Sequence, residues 1–492
     1  MILGGLDVGT TGCKIVLYDE TCTLQKTYYQ EYPTLRQNGR HEISFEAVKA
    51  GILELLRCAA KEYPLTWLGV TSFGETFAMV DEQGGILAPS MLYTDPRGEE
   101  ECAWLKETLG EEFLTLRTGV KPHPMYSIAK ILWQKNHNPE VYAKCRHILL
   151  GQDYVVYLLT GQTQIDYSLA ARTGAFDVET KSWIPEIFSA AGIDPTLLST
   201  PVPSGTAAGK LTQEMKQQLG IVQDITIVSG CHDQVAAMIG SGIFAPDQAM
   251  DGSGTVECVP VVLKEKPTAL EFYQNGYSVV PYPTGEYACY AFSFTGGASL
   301  KWFRDNFAEL DRQRAEEAGE NVYANLDAKI PEEPTGLLVV PYFAGAATPY
   351  MDNDATAMIV GLTLGTDKYT LYKALMEGTS YEMMLNFRLL QSVTGQINEV
   401  RATGGGATSD VWLQIKSDML GTKLTALSCK EVGAAGTTAL AGVTAGVYSD
   451  WKSAVAKMAP VRKIFTPDPG KTARYAELYP KYAKLYPATR DL

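Results

Sequence analysis

Asp7-Val8-Gly9-Thr10-Thr11-Gly12 lies between two apolar runs, with Ile2, Leu3 and Leu6 before it and residues 14–19 (KIVLYD) after it. Two glycines and two threonines in six residues, flanked by β-branched and aromatic side chains, predict a tight hairpin whose backbone can approach a ligand. Half a chain later the pattern returns. Ala249-Met250-Asp251 leads into Gly252-Ser253-Gly254-Thr255, and residues 256–263 (VECVPVVL) follow as a predicted strand. Each case is an acid-bearing strand, a Gly/Thr turn and an apolar strand. The chain therefore reads as two similar halves, because no repeat of about 20–50 residues is visible.

The joint between the halves is expected near Gly240-Ser241-Gly242-Ile243-Phe244-Ala245-Pro246, where two glycines and a proline follow a predicted helix. Helical patterns such as residues 45–60 alternate with strands in both halves, so the class is α/β. The chain beyond about residue 450 reads as helical and Tyr-rich.

Composition bounds the function. The 492 residues carry 42 Lys plus Arg and 56 Asp plus Glu, a net charge of −14, with 46% apolar and 20% charged residues. Those proportions fit a globular protein and exclude disordered, collagen-like and coiled-coil chains. The acidic surplus argues against binding nucleic acid or an anionic membrane. No run approaches the roughly 18 apolar residues that span a bilayer. Met1-Ile2-Leu3-Gly4-Gly5 has no basic leader and runs straight into a strand, so no targeting peptide and a cytoplasmic location are expected. The nine cysteines include no CxxC and do not cluster with the five histidines. Reduced, mostly buried thiols are expected in place of a zinc site or a disulfide framework.

No nucleotide motif of the commonest kinds is present. Gly205-Thr206-Ala207-Ala208-Gly209-Lys210 is one spacer short of a P-loop, and no GxGxxG opens a helix after a strand. Phosphate can still be held by backbone N–H groups in Gly/Thr hairpins, which form anion-binding nests. Two such hairpins facing each other would clamp a polyphosphate. Asp7 would then hold Mg²⁺ through water, since that ion keeps several of its waters.

Two further joints carry candidate chemistry. Glu399-Val400-Arg401-Ala402-Thr403 runs into Gly404-Gly405-Gly406 and then a helix with Val411, Ile415 and Met419 on one apolar face. Three glycines there leave room for a flat ligand, and Ser409 or Asp410 can cap the helix. Residues 225–230 (ITIVSG) end as a strand, and a helix begins at Asp233 after Cys231-His232. Asp233 is either an N-terminal cap or a catalytic carboxylate at the C-terminal end of a strand, where ligands of α/β sheets bind.

These sites, in this order and spacing, resemble the FGGY family of carbohydrate kinases, from Gly5 to about Gly442. Supporting matches are Thr295-Gly296-Gly297-Ala298, Pro341-Tyr342-Phe343-Ala344-Gly345 with Thr348-Pro349, and Glu431-Val432-Gly433-Ala434-Ala435-Gly436. The resemblance implies a two-domain actin/Hsp70/hexokinase-like (ribonuclease H-like) fold with an active site in the interdomain cleft. It implies domains at 1–245 and 246–450, with the helices of 451–492 packing back on the first domain. It implies Mg²⁺ and ATP as cofactors and Asp233 as the catalytic base, with Asp7 and Asp233 near the metal. Thr10, Thr11, Lys14, Gly254, Thr255, Gly296, Gly297, Gly404, Gly405, Gly406 and Asp410 are the implied nucleotide and phosphate contacts. Gly74, Glu75, Asp95, Asp233 and Gln234 are the implied acceptor contacts.

The expected reaction is ATP-dependent phosphorylation of a hydroxyl of a small sugar or polyol, with a ketopentose of the xylulose or ribulose type first in order. Gly74 before Glu75 departs from the Arg-Glu pair of glycerol kinases and the Met-His pair of xylulokinases, and Tyr93 stands where many members have Trp. The sugar is therefore left open. Dimers are common in the family, which leaves a homodimer open as well. An actin- or Hsp70-like ATPase and a non-catalytic nucleotide-binding regulator are the alternatives.

Overall fold

The computed structural model describes residues 1–490. The first half is built on a sheet of β1 (Ile2–Val8), β2 (Gly12–Asp19), β3 (Leu24–Glu31), β4 (Leu65–Ser72), β5 (Thr206–Lys210) and β6 (Thr226–His232), in the order β5-β6-β4-β1-β2-β3. β1, β2 and β3 are antiparallel neighbours, while β4 runs parallel to β1 and β6 parallel to β4. β1 is buried almost throughout, as its near-continuous apolar run requires of a central strand. Between β3 and β4, α1 (Phe45–Glu62) turns Val48, Ile52, Leu56 and Ala59 into the core, at helical spacing, with Ser44 accepting from the Ala47 N–H as its cap.

The second half repeats the plan. Its sheet contains β7 (Gln248–Ser253), β8 (Glu257–Leu263), β9 (Ser278–Pro281), β10 (Tyr287–Ser293), β11 (Glu399–Thr403), β12 (Lys423–Leu427) and β13 (Val461–Phe465), in the order β9-β10-β8-β7-β11-β12-β13. β7, β8 and β10 are antiparallel neighbours, and β11 and β12 add in parallel. The run β10-β8-β7-β11-β12 therefore matches β3-β2-β1-β4-β6 in order and direction. The two hairpins found in the sequence occupy equivalent places. The fold is of the actin/hexokinase type. The chain passes from the first sheet's elements to the second sheet between α2 (Asp233–Gly240) and β7.

The C-terminal segment differs from expectation. β13 pairs with β12 at the edge of the second sheet, so the chain leaves from that side. α6 (Pro469–Thr489) then docks on the second half. It buries Tyr475, Tyr479, Tyr482 and Tyr486 along one face, and the Tyr475 and Tyr482 hydroxyls donate to Glu377 and Glu382. By contrast α4 (Val432–Thr444), which follows β12 and α3 (Asp410–Leu420), lies against β1, β4 and α2 of the first half. α5 (Trp451–Met458) packs on α4 and α2. Within 451–492, therefore, α5 packs on first-half elements, while β13 and α6 belong to the second half.

All nine cysteines are free thiols, seven of them buried. No helix among the described residues is long and apolar enough to cross a membrane.

Candidate active site

The carboxyl ends of the parallel strands converge on one region, the position where open α/β sheets bind ligands. Asp7 sits near the end of β1 and pairs across the hairpin with Lys14. The tip is closed by Gly9 N–H to the Gly12 carbonyl at 2.9 Å and is pinned from outside by the Tyr32 hydroxyl on the Gly9 carbonyl. Thr10 is half-buried and Thr11 exposed, and among the described residues neither hydroxyl is engaged. Lys14, expected at phosphate, points its ammonium at Glu431, 2.6 Å away, and lies 3.9 Å from Asp7. Asp7 is held above the usual carboxylate range by burial, against the pull of Lys14.

Asp233 opens α2, and His232, not Asp233, occupies the capping position, so the carboxylate is not spent on the helix end. Its side chain is 31% exposed, and Oδ1 accepts no hydrogen bond among the described residues. Burial, with Asp7 and Glu75 as like charges nearby, pushes its pKa up to about 7. That is the poise of a general base at neutral pH. His232 Nε2 is 3.1 Å from Oδ1. Burial and Arg172 push the imidazole pKa far down, so it is neutral. Gln234 follows in the first turn, half-buried.

Glu75 is buried at the end of the loop after β4, where Thr76 N–H bonds back to the Gly74 carbonyl at 2.7 Å. This γ-turn holds Glu75 at φ +64°, a conformation that a non-glycine residue adopts only under constraint. A Cβ at Gly74 would come 3.1 Å from both Arg172 Cγ and His232 Nε2, so either side chain would have to give by a few tenths of an ångström to admit it. Arg172 donates to Glu75 through Nε at 2.6 Å and also through Nη2. Its guanidinium lies between the rings of Tyr126 and Tyr290, at 5.1 and 5.4 Å, and Tyr290 belongs to the second half. Tyr290 also stacks on His232, with centroids 5.8 Å apart. Arg172 and Tyr290 were not among the residues expected from sequence. The only hint was an arginine closing the apolar turn Leu169-Ala170-Ala171.

Asp95 has a different task from the one expected. Its two oxygens already accept from His41 N–H, Arg97 N–H, Arg97 Nε and Arg97 Nη2 at 2.7–3.1 Å. A carboxylate has about four lone-pair sites, so none is left for a sugar hydroxyl. Asp95 instead fixes the loop that carries Tyr93. Burial, and then the negative charges of Glu75 and Asp233, raise the Tyr93 phenol.

The second half supplies the other wall. Gly254 and Thr255 form the exposed tip between β7 and β8. Gly296 N–H donates to the Thr255 carbonyl at 2.9 Å, and Gly297 N–H to the Gly254 carbonyl at 2.8 Å. Gly404 (φ +86°) would carry a Cβ 2.5 Å from the Ser253 carbonyl oxygen, and Gly406 one 2.6 Å from Ser253 Cβ. All three glycine segments expected at the nucleotide therefore meet around this one hairpin. Beneath it lies Lys416, fully buried and absent from the expectations. It donates to Asp251 and Glu257, each at 2.6 Å, and to the Ser253 hydroxyl. Its sequence signal was a lysine one turn after Trp412 on an apolar helix. Asp410, expected at the adenosine, pairs with Arg462 and Lys463 at 2.8 and 2.7 Å, and Ser409 caps the helix. It ties α3 to β13.

The halves approach each other at Asp233. Cys258, on β8 of the second hairpin, has its thiol pKa raised first by burial and then by Asp233. The donor set also fits a divalent cation. Asp7 is close enough to raise the proton affinity of Asp233, yet no cluster of three metal-ligating side chains exists among the described residues. Two carboxylates completed by water and phosphate oxygens suit Mg²⁺.

The N-terminal domain of the FGGY family of carbohydrate kinases matches residues 1–240, and its C-terminal domain matches residues 252–445. A xylulose kinase of Staphylococcus epidermidis is 27% identical over 504 residues, covering 99% of this chain and 97% of that one. A gluconokinase of Bacillus licheniformis is 29% identical over 437 residues, covering 84% and 82%. The ligand-bound xylulose kinase structure from Lactobacillus acidophilus superposes with a TM-score of 0.89 at 23% identity, over 99% and 98% of the two chains. With both domain matches in chain order and almost no residue outside them before position 445, this chain belongs to the FGGY family of carbohydrate kinases and is a phosphotransferase.

Proposed function

We propose that the protein transfers the γ-phosphoryl group of ATP to a hydroxyl of a small open-chain carbohydrate, with Asp233 as general base. The observation that carries the assignment is the Asp233 carboxylate itself. It is partly exposed, its buried Oδ1 accepts no hydrogen bond among the described residues, and burial together with the charges of Asp7 and Glu75 raises it to about 7. Asp233 accepts the proton as the hydroxyl attacks phosphorus. The remaining work is positioning and charge stabilisation.

Backbone N–H groups of Thr10, Thr11 and Thr255 hold the phosphates, with the free threonine hydroxyls as added donors; the Gly254 N–H closes the second tip on the Val256 carbonyl at 2.9 Å and is not available. Gly296, Gly297 and Gly404 to Gly406 leave the adenosine a flat bed. Asp7 and Asp233 would hold Mg²⁺ through water, and that ion would neutralise charge developing on the phosphate oxygens. Glu75 accepts from acceptor hydroxyls, and Tyr93 and Gln234 border the same space. Closure about the joint at 241–247 excludes water and suppresses ATP hydrolysis. The resemblance to pentulose kinases makes a ketopentose the first neutral acceptor to try, and the cytoplasm is the expected compartment. An actin-type ATPase has no use for a buried acid–guanidinium pair facing an acceptor pocket.

The test is a coupled ADP-release assay across ketoses, aldoses, polyols and sugar acids, run with the parent and with Asp233→Asn. Sugar-dependent ADP release that the variant loses supports the reading. Release that ignores every carbohydrate, or that survives in the variant at the parental rate, overturns it.

A further inference from the structure

A cavity of about 420 Å³ opens between the two halves, next to the acceptor pocket. Its size is that of a small-molecule site, for which ~300–1,000 Å³ is usual. Arg172 is the shared wall, facing the cavity on one side and holding Glu75 on the other. Tyr126 also lines the cavity and stacks on Arg172.

The charge in this cavity runs against that of the whole chain, which is −14. Lys106 and Lys121 line it, both half-buried, and neither forms an ion pair among the described residues. Glu99 is the one acid among the lining residues. His123 reports the local field. Burial and then Lys130, Lys106 and Lys121 hold its pKa down to about 4, so it is neutral. Its Nδ1 accepts from the Met125 N–H at 3.1 Å, which leaves the ring proton on Nε2 as a donor. Arg172 adds the second kind of evidence. It is 96% buried, and its Nη1 has no hydrogen-bond partner within the protein. A buried N–H without an acceptor is costly unless a ligand or water supplies one.

We infer that this cavity is an anion subsite continuous with the acceptor pocket, taking a carboxylate or phosphate carried by a small polyhydroxy molecule, with Lys106 and Lys121 as its cationic ligands and Arg172 as the wall shared with Glu75. The location relative to the acceptor rests on the kinase reading above. The cavity itself does not. An acceptor lying with one hydroxyl at Asp233 and its chain passing Arg172 carries its anionic group at the end remote from the phosphorylated hydroxyl. A neutral ketopentose leaves both lysines without a counter-charge.

The experiment uses the full chain, Lys106→Met/Lys121→Met and the two single variants. Kinase activity is measured with a five-carbon and a six-carbon aldonate against a neutral ketopentose, and thermal shift with each aldonate and with inorganic phosphate. If the acceptor carries the anion, an aldonate exceeds the ketopentose in kcat/KM by at least tenfold, and the double variant lowers that ratio at least tenfold through KM. If the anion is a separate ligand, the aldonates are not turned over, but phosphate or aldonate raises Tm by several degrees in the parent and not in the variants. A ratio and a thermal shift that the lysine substitutions leave unchanged overturn the subsite. A protein that phosphorylates the neutral ketopentose yet fails both anion arms keeps the kinase reading and loses only this one. A protein that phosphorylates no carbohydrate yet shows the lysine-dependent shift does the reverse. Should the double variant not fold, the single variants supply the same ratio and shift.

Discussion

Arg172 Nε lies 2.6 Å from Glu75 Oε1, although 97 residues separate the two in sequence. Both side chains are about 95% buried, and the pair is enclosed by tyrosines from both halves. Truncating one member of such a pair leaves an uncompensated buried charge. Glu75→Ala should cost about 3–5 kcal/mol of stability and raise the sugar KM more than it changes the ATP KM. Denaturant melts and two-substrate kinetics check this. An unchanged sugar KM would remove Glu75 from the acceptor site.

Asp233→Asn keeps the shape of the side chain and removes the base. Transfer should fall by roughly 10²–10⁴, the usual contribution of a general base. ATP binding, followed by calorimetric titration, should stay within a few-fold of the parent. Sugar-stimulated turnover that persists at the parental level speaks against the assignment.

The raised Asp233 pKa has a sign that can be checked. The folded protein holds this proton up to about pH 7, whereas the ordinary value is 3.8. Between those values the native state binds more protons than the unfolded one, so this group's contribution to stability falls as pH rises, and the penalty is complete above about 7. In the unliganded protein, Asp233→Asn should therefore raise Tm at pH 8, with the difference shrinking toward pH 4. In the same window kcat/KM of the parent should climb with pH as the base form appears. A Tm difference that is constant from pH 4 to 8 would contradict the shift.

Lys416 holds two acids and a hydroxyl beneath the second hairpin. Lys416→Met strands Asp251 and Glu257 in the core and should cost about 3–5 kcal/mol. The damage should reach the nucleotide first, since Ser253 leads straight into Gly254 and Thr255. The expected kinetic signature is a rise in the ATP KM at a nearly constant sugar KM.

Gly404→Ala places a methyl group 2.5 Å from the Ser253 carbonyl oxygen at a backbone angle of φ +86°. Strain of about 1–3 kcal/mol is expected, relieved by parting the third glycine segment from the second hairpin. Nucleotide affinity should drop severalfold, measured by titration with an unreactive ATP analogue. Gly405→Ala meets no protein atom, so it should leave stability at the parental level, and any loss of nucleotide affinity there reports ligand room and not strain.

These features were unequally visible in the amino-acid sequence. The two hairpins were legible because Gly/Thr turns between apolar runs are local signals, and the likeness of the two halves followed from their equivalence, while the strand orders came only with the structure. Asp233 was legible because a strand ends and a helix begins there. Glu75 was found without its partner, since nothing local pairs residue 75 with residue 172. Asp95 was misjudged because His41, which fills part of its acceptor capacity, reaches it only through the fold. Asp410 was assigned from its neighbours Gly404 to Gly406, while Arg462 and Lys463 arrive on a strand far along the chain. Lys416 and Tyr290 depend wholly on packing between distant segments.

Helix α4 meets the first half through bare backbone. Cβ atoms built at Gly5 and Gly69 would lie 2.1 and 2.4 Å from the carbonyl oxygens of Ala434 and Thr437, and one at Gly240 would lie 1.8 Å from that of Val432. Contacts so tight admit no sliding, so residues 432–444 must ride with the amino-terminal lobe even though the strand before them belongs to the other. Any swing of one lobe against the other is then confined to three chain crossings, 241–247, 428–431 and 459–460, the last where α5 gives way to β13. The second of these ends at Glu431, the anchor of Lys14. Breathing between the lobes is thus geared to the first Gly/Thr turn, and stiffening the crossing at 241–247 should slow turnover without touching that anchor.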